Sequence, residues 1–285
     1  MRMLSRGFRG RPALLRLVLG VAVSSVVLAS GGLVEPQRRG GGQRGRPQQF
    51  VRPWMYDGAY VFCRLAFREA PDGDGGGWQV DYPKADTNFP WRLGQLTAAP
   101  ISRDSRGEPN HVVVTATEPH LFECPFVMMT EPAAAYFDEE EAAKLREYLE
   151  KGGFLWADDF WGEYAWRAWE RQIRKVLPAS EFPIFDVPAN HMIRNIDFIL
   201  TDIPQVPSID FWFRNGFRTS ERFDSDVPNM RAIQNARGHI IVLMTHNTDF
   251  GDAFERETEN KQFFDAFAAR GYAVGINVFL YAMTH

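Results

Sequence analysis

Five apolar runs punctuate the chain after residue 50: 60–67 (YVFCRLAF), 111–117 (HVVVTAT), 125–130 (PFVMMT), 153–158 (GFLWAD) and 239–245 (HIIVLMT). Each is nearly continuous in apolar residues rather than alternating, as expected for a strand covered on both faces. Amphipathic stretches lie between them. Asp86 is placed to cap a helix bearing Phe89, Leu93 and Leu96 on one side, with Pro90 tolerated in the first turn. Asp138 with Glu141 reads as a capping box before the stripe Ala142, Leu145 and Leu149, and Gly152–Gly153 end that helix. A third helix runs from Glu163 to Leu177, and two more are expected at 260–269 and 271–283. Strands alternating with helices predict an α/β fold with a doubly wound, mostly parallel sheet. The Pro-, Asp- and Asn-rich stretch 178–230 reads as irregular decoration of that sheet.

The first 49 residues have another character. Five arginines without an acid in 1–16 precede thirteen uncharged residues, Leu17 to Ala29, with small side chains at Val27 and Ala29. A basic start, a short apolar stretch and a small-residue exit predict a cleaved signal peptide, 1–29. Thirteen residues fall short of the roughly 20 that a membrane-crossing helix needs. Residues 30–49, rich in Gly, Gln, Arg and Pro, read as a disordered basic linker, and 50–285 as a single α/β domain. The expected location is therefore periplasmic or extracellular, with no transmembrane segment in the mature chain.

Of 32 Lys and Arg and 36 Asp and Glu, nine arginines and one acid fall in 1–49, which leaves 23 against 35 and a formal charge of −12 for the remainder. That balance argues against nucleic acid as a partner. Cys63 sits in an apolar strand pattern, and the expectation for Cys63 and Cys124 is that they do not pair, although export would permit a disulfide.

Ligands of open parallel sheets bind beyond the carboxyl ends of the strands. Four of those ends are acidic: Glu118; Glu131; the pair Asp158–Asp159; and a segment holding His246, Asn247, Asp249, Asp252 and Glu255. If they converge, they line a cleft whose paired carboxylates can divide acid and base roles or hold a hard divalent cation, Ca²⁺ or Mg²⁺ before Zn²⁺. Helix caps and Asx turns account for the same residues without any ligand. A second polar segment brings Asp81, Asp86, Asn88 and Arg92 near aromatic Trp78, Tyr82 and Trp91, a composition suited to a sugar or peptidoglycan fragment. Neither a G-x-S-x-G, a Walker loop, a G-x-G-x-x-G before a helix nor an HExxH occurs.

The stretches DYPKADTNFPWRLGQLT, GGFLWADDFWG, VLMTHNTDFGDAFERE and GYAVGINVFLYAMTH resemble, in that order, the domain-of-unknown-function 4159 family of bacterial envelope proteins. The resemblance implies a flavodoxin-like sandwich similar to class I glutamine amidotransferases. Those enzymes carry a nucleophilic Cys on a tight turn between strand and helix; the matching turn here is WADDFWG, with Asp159 about where the Cys would stand. Glutaminase chemistry is therefore not expected. Two readings follow: a binding or assembly module of the envelope on a degenerate amidotransferase-like scaffold, or a carboxylate-dependent hydrolase, divalent-metal-assisted, acting on an envelope glycan or peptide. The second assigns catalysis to Asp158, Asp159, His246 and Asp249, with Asp81, Asp86, Asn88, Arg92, Glu131, Asn247 and Asp252 as binding residues.

Overall fold

The five apolar runs become β1 (Phe62–Ala66), β3 (His111–Thr115), β4 (Phe126–Thr130), β6 (Phe154–Asp158) and β9 (Ile240–His246), with β2 (Arg68–Glu69) and β5 (Ala135–Tyr136) as a small separate ribbon. The computed structural model describes residues 57–285; the expected signal peptide, the linker and the first residues of the expected domain lie outside the described residues. Helices α1 (Lys84–Leu96), α2 (Glu139–Glu150) and α3 (Gly162–Val176) follow the expected stripes. The main sheet has seven strands, and its parallel portion runs β3-β1-β4-β6-β9.

Two strands of the main sheet lie outside the five apolar runs. β7 (Ile184–Asp186) and β8 (Asn229–Gln234) extend the sheet beyond β9, β8 antiparallel to β9 and β7 antiparallel to β8. The stretch 178–230 thus contributes a sheet edge as well as loops and α4 (Ile209–Arg214). Edge strands are short and partly solvated, so β7 lacks the continuous apolar signature of its neighbours.

Period-two alternation assigns the faces. Cys63, Leu65, Val127, Met129, Leu155, Ala157 and Met244 pack with α2 and α3 around fully buried Trp169. On the opposite face Phe62, Phe126, Met128, Trp156 and Leu243 pack under α1, α5 (Phe250–Glu255) and α7 (Ala269–Thr284). Phe89 of α1 meets Phe254 of α5 with ring centroids 5.0 Å apart. The two C-terminal helices expected are instead one continuous helical segment, Lys261–Thr284, in which α6 (Lys261–Phe263) joins α7 through a π turn at Phe264–Ala268. That segment is long and apolar enough to cross a membrane, yet Tyr272, Val274, Ile276 and Val278 are buried against the sheet, the pattern of a core helix.

One further expectation holds and two change. The α2 box forms: Asp138 Oδ1 accepts from Glu141 N at 2.9 Å, and Glu141 Oε2 accepts from Asp138 N at 3.0 Å. Asp86, by contrast, caps nothing. It lies in the first turn of α1, fully buried, and takes Nε of Arg64 with both oxygens at 2.9 Å. Cys63 and Cys124 do pair, with Cα atoms 6.1 Å apart, because Cys124 enters β4 beside β1. The apolar surroundings that suggested a free thiol belong to the bridge.

Candidate functional site

Three neighbouring parallel strands end the same way. β4 is followed by Glu131 at φ 48°, β6 by Asp159 at φ 61°, and β9 by Asn247 at φ 62°. Asp81, on the loop that leads into α1, is at φ 64°, and among the described residues the other non-glycine with positive φ is Phe217. Left-handed backbone costs an L-residue roughly 1–2 kcal/mol, less for Asp and Asn. Four such residues at one edge of a sheet mark it as a place where side-chain direction has been chosen over backbone comfort.

Asp81, Asp158, Asp159, Asp249 and Asp252 are all buried there. Burial first, and then the charge of Asp252, holds the Asp81 carboxyl well above its ordinary range; Asp249 is raised by burial and then by Asp159, Asp81 and Asp252. Burial, followed by Glu131 and Asp81, does the same to Asp159. Glu131 itself is pushed up to about 7 by burial, although N–H groups of Gly77, at 2.7 Å, and Gly76 donate to its Oε2. Glu221, on the loop after α4, is raised chiefly by burial and its charge also reaches Asp159 and Glu131.

These acids differ in how far hydrogen bonds already satisfy them. Asp158 is engaged fully: Thr245 Oγ1 donates to one oxygen, and Phe250 N (2.7 Å) and Gly251 N (3.1 Å) donate to the other. It fixes the start of α5. Burial nonetheless raises it to about 7, against the lowering effect of these donors. Asp249 caps α5 through Asp252 N at 2.7 Å, and Asp252 Oδ2 accepts from Ile209 N at 2.6 Å. Asp159 Oδ1 accepts from Trp161 Nε1 at 2.9 Å. Asp81 Oδ2 is buried with no hydrogen-bond partner.

The sequence-predicted residues therefore separate. Asp81, Asp158, Asp159, Asp249, Asp252 and Glu131 converge. His246 does not. Thr245 faces Asp158, so the next residue along β9 must point to the opposite face. His246 lies there, its ring 4.9 Å from Phe160 and 5.4 Å from Trp166, with Nε2 bound to Gly162 O at 3.0 Å. Burial lowers it to about 4. It cannot act with Asp249 as a catalytic pair. Asn247 is a strut, accepting from Gly162 N and donating to Val227 O, each at 2.8 Å. Asn88 donates to Phe254 O at 2.9 Å, and Arg92 pairs with Glu257 at 2.8 Å, so both tie α1 to the α5 region. Asp86 belongs to the ion pair, and Glu118 accepts from Thr115 N in its own turn at 2.8 Å.

Arg64 was missed, yet a lone arginine inside an apolar strand run is itself a signal, because a buried charge needs a partner. Besides Asp86, its guanidinium donates to Trp78 O (3.3 Å), Val80 O (3.0 Å) and Thr130 Oγ1 (2.7 Å). It holds the loop that delivers Asp81. Glu221 and Gly251 carried no local signal. A large apolar cavity of about 840 Å³, bordered by Phe122, Tyr148, Lys151 and Phe279, lies at the opposite, amino-terminal edge of the sheet; neither the converging acids nor the left-handed non-glycine residues line it.

The fold and site define an α/β protein with a mostly parallel seven-stranded mixed sheet and a cluster of buried acids at its carboxyl edge. The family model described as Domain of unknown function (DUF4159) matches residues 62–283, from the first residue of β1 almost to the end of α7. The chain belongs to that family. No curated protein matches it.

Proposed function

We propose that this is an exported envelope protein whose domain is a binding or assembly module, and that the acid cluster takes up a cation or a cationic group of its ligand. The observation that carries this reading is the imbalance of charge. Asp81, Asp159, Asp249, Asp252, Glu131 and Glu221 influence one another electrostatically, while the bases that lower them are Arg64 at Asp81, Arg256 at Asp252 and Arg222 at Glu221. Buried like charges stay ionised only if something positive joins them. The loop that carries Glu221 also exposes Phe223 and Val227, apolar side chains suited to a ligand that reaches beyond the cluster.

The degenerate amidotransferase-like scaffold, a flavodoxin-like sandwich, is supported by the β3-β1-β4-β6-β9 order, which places a topological switch point between β1 and β4. Asp159 sits at φ 61° on the turn between β6 and α3, where an amidotransferase would present its nucleophile. Both cysteines are in the disulfide, which leaves no thiol for the described residues to offer. The hydrolase reading, stripped of His246, retains one specific support: Glu131, pushed up to about 7, can exchange a proton near neutral pH.

A thermal-shift screen of the full chain against muropeptides, amino sugars and their neutral counterparts tests the binding reading. Ligands that bear ammonium groups are expected to raise Tm, and Asp159→Asn to weaken that response without lowering the Tm of the free protein. If no cationic or neutral ligand moves Tm, the reading fails. Hydrolysis of a muropeptide or glycan that Glu131→Gln abolishes would favour the second reading instead.

A further inference from the structure

We propose that Asp81, Asp249 and Asp252 form a site for one hard divalent cation, calcium before magnesium, held through carboxylate oxygens. The inference rests on the binding reading above and names the cation that this cluster takes. One ligand oxygen from each of the three carboxylates can be chosen so that all lie within 4.8 Å of one another. Oxygens that each sit about 2.3–2.6 Å from a calcium ion are separated by up to roughly 5 Å, whereas the tighter shell of magnesium, about 2.0–2.1 Å, spans closer to 4 Å. Either shell fits inside that bound; the donor set decides, because a cage made of protein carboxylates suits calcium, whereas magnesium usually keeps several of its waters. His and Cys are absent from the trio, which disfavours zinc.

A cluster of acids alone would not establish a site. Here the second observation is Asp81 Oδ2, which is buried on a residue only 7% exposed and has no hydrogen-bond partner. It points at the α5 turn that carries the other two acids: a Cβ on Gly251 would collide with Asp81 Oδ2 and lie 3.3 Å from Asp249 Oδ1. The missing side chain of Gly251 is what lets these oxygens approach. Lone pairs remain for a metal, since Asp249 uses Oδ1 for Asp252 N, and Asp252 uses Oδ2 for Ile209 N with Arg256 Nε only at 3.3 Å from Oδ1. The framework is also fixed in advance. Arg64 holds the Trp78 and Val80 carbonyls of the loop bearing Asp81, and Asp158 pins the Phe250 and Gly251 amides of the turn bearing the others. A preformed cage of this kind loses little conformational freedom on binding.

The test is a titration of the full chain, stripped with EDTA, with CaCl₂ and MgCl₂. Calcium at a hundredfold excess over its Kd is expected to raise Tm by about 5 °C or more, and magnesium by less. Asp81→Asn, nearly isosteric, is expected to abolish the response. Terbium luminescence excited through tryptophan, with displacement by calcium, reads the same site in the unaltered protein should that variant not fold. Lack of response to both cations with no displaceable terbium signal overturns the proposal, as does an unchanged calcium midpoint in Asp81→Asn, which would locate binding on surface acids. An organic ligand whose Tm shift survives EDTA, with no cation response, sinks the metal site and leaves the binding reading standing. A calcium response without any organic ligand keeps the metal site and removes only the organic ligand from the binding reading.

Discussion

Replacing Arg64 with Met should destabilise the protein more than any surface change, and the reason can be worked through atom by atom. Arg64 and Asp86 are each 0% exposed, and Nε of Arg64 lies 2.9 Å from both carboxylate oxygens. Removing one partner of a fully buried ion pair costs about 3–5 kcal/mol, because the remaining charge has neither water nor a counter-ion. The Trp78 and Val80 carbonyls also lose their guanidinium donor, at about 1–3 kcal/mol for a buried group left unsatisfied. The terms overlap, so a loss of about 4–5 kcal/mol is the working figure, a large share of the ~5–15 kcal/mol of a typical domain. At about 2–4 °C per kcal/mol for a domain of this size, Tm should fall by about 8–20 °C. Asp86→Leu alone should cost a comparable amount. The double variant Arg64→Met/Asp86→Leu should be more stable than either single one, since two apolar groups leave no orphaned charge. Urea unfolding of the four proteins gives the coupling energy. Single losses below about 1 kcal/mol, or a double variant no better than the sum of the singles, would refute the argument. Such an outcome would mean that water reaches the pair. Hydrogen exchange adds a local check: the amides of 78–86 should lose protection first in Arg64→Met, because the loop to Asp81 is what the guanidinium holds.

Two other outcomes follow from the same geometry. The Cys63–Cys124 bridge closes a separation of 61 residues, so Cys63→Ala/Cys124→Ala should lose about 2–5 kcal/mol in denaturant unfolding; an unchanged midpoint would show that the cross-link contributes nothing. Burial depresses His246 to about 4, below its unfolded value near 6.5. The unfolded chain therefore takes up that proton first as pH falls. His246 should cost stability progressively between about pH 6.5 and 4, roughly 3 kcal/mol in all. His246→Phe should remove that component from the difference between the two stability profiles; identical slopes in both proteins would count against the assignment.

What the residues determined by themselves was local and one-dimensional. Continuous apolar runs at 60–67, 125–130, 153–158 and 239–245 predict covered strands because both faces of a central strand must be apolar wherever they lie. The Asp138–Glu141 box needs only its own turn. Acids directly after strands could also be placed at one edge, since parallel strands all end on the same side. The tertiary structure decided the rest, because it depends on register and on depth. Thr245 and His246 are neighbours in the chain, yet strand alternation sends one to Asp158 and the other to Phe160 and Trp166. Asp86 suits a cap by position, but in the folded protein it meets Arg64, 22 residues away. The disulfide and the antiparallel strands β7 and β8 are likewise pairings between distant segments. Whether a carboxylate is satisfied, like Asp158, or left without a partner, like Asp81 Oδ2, is fixed by which backbone amides the fold brings within reach of it.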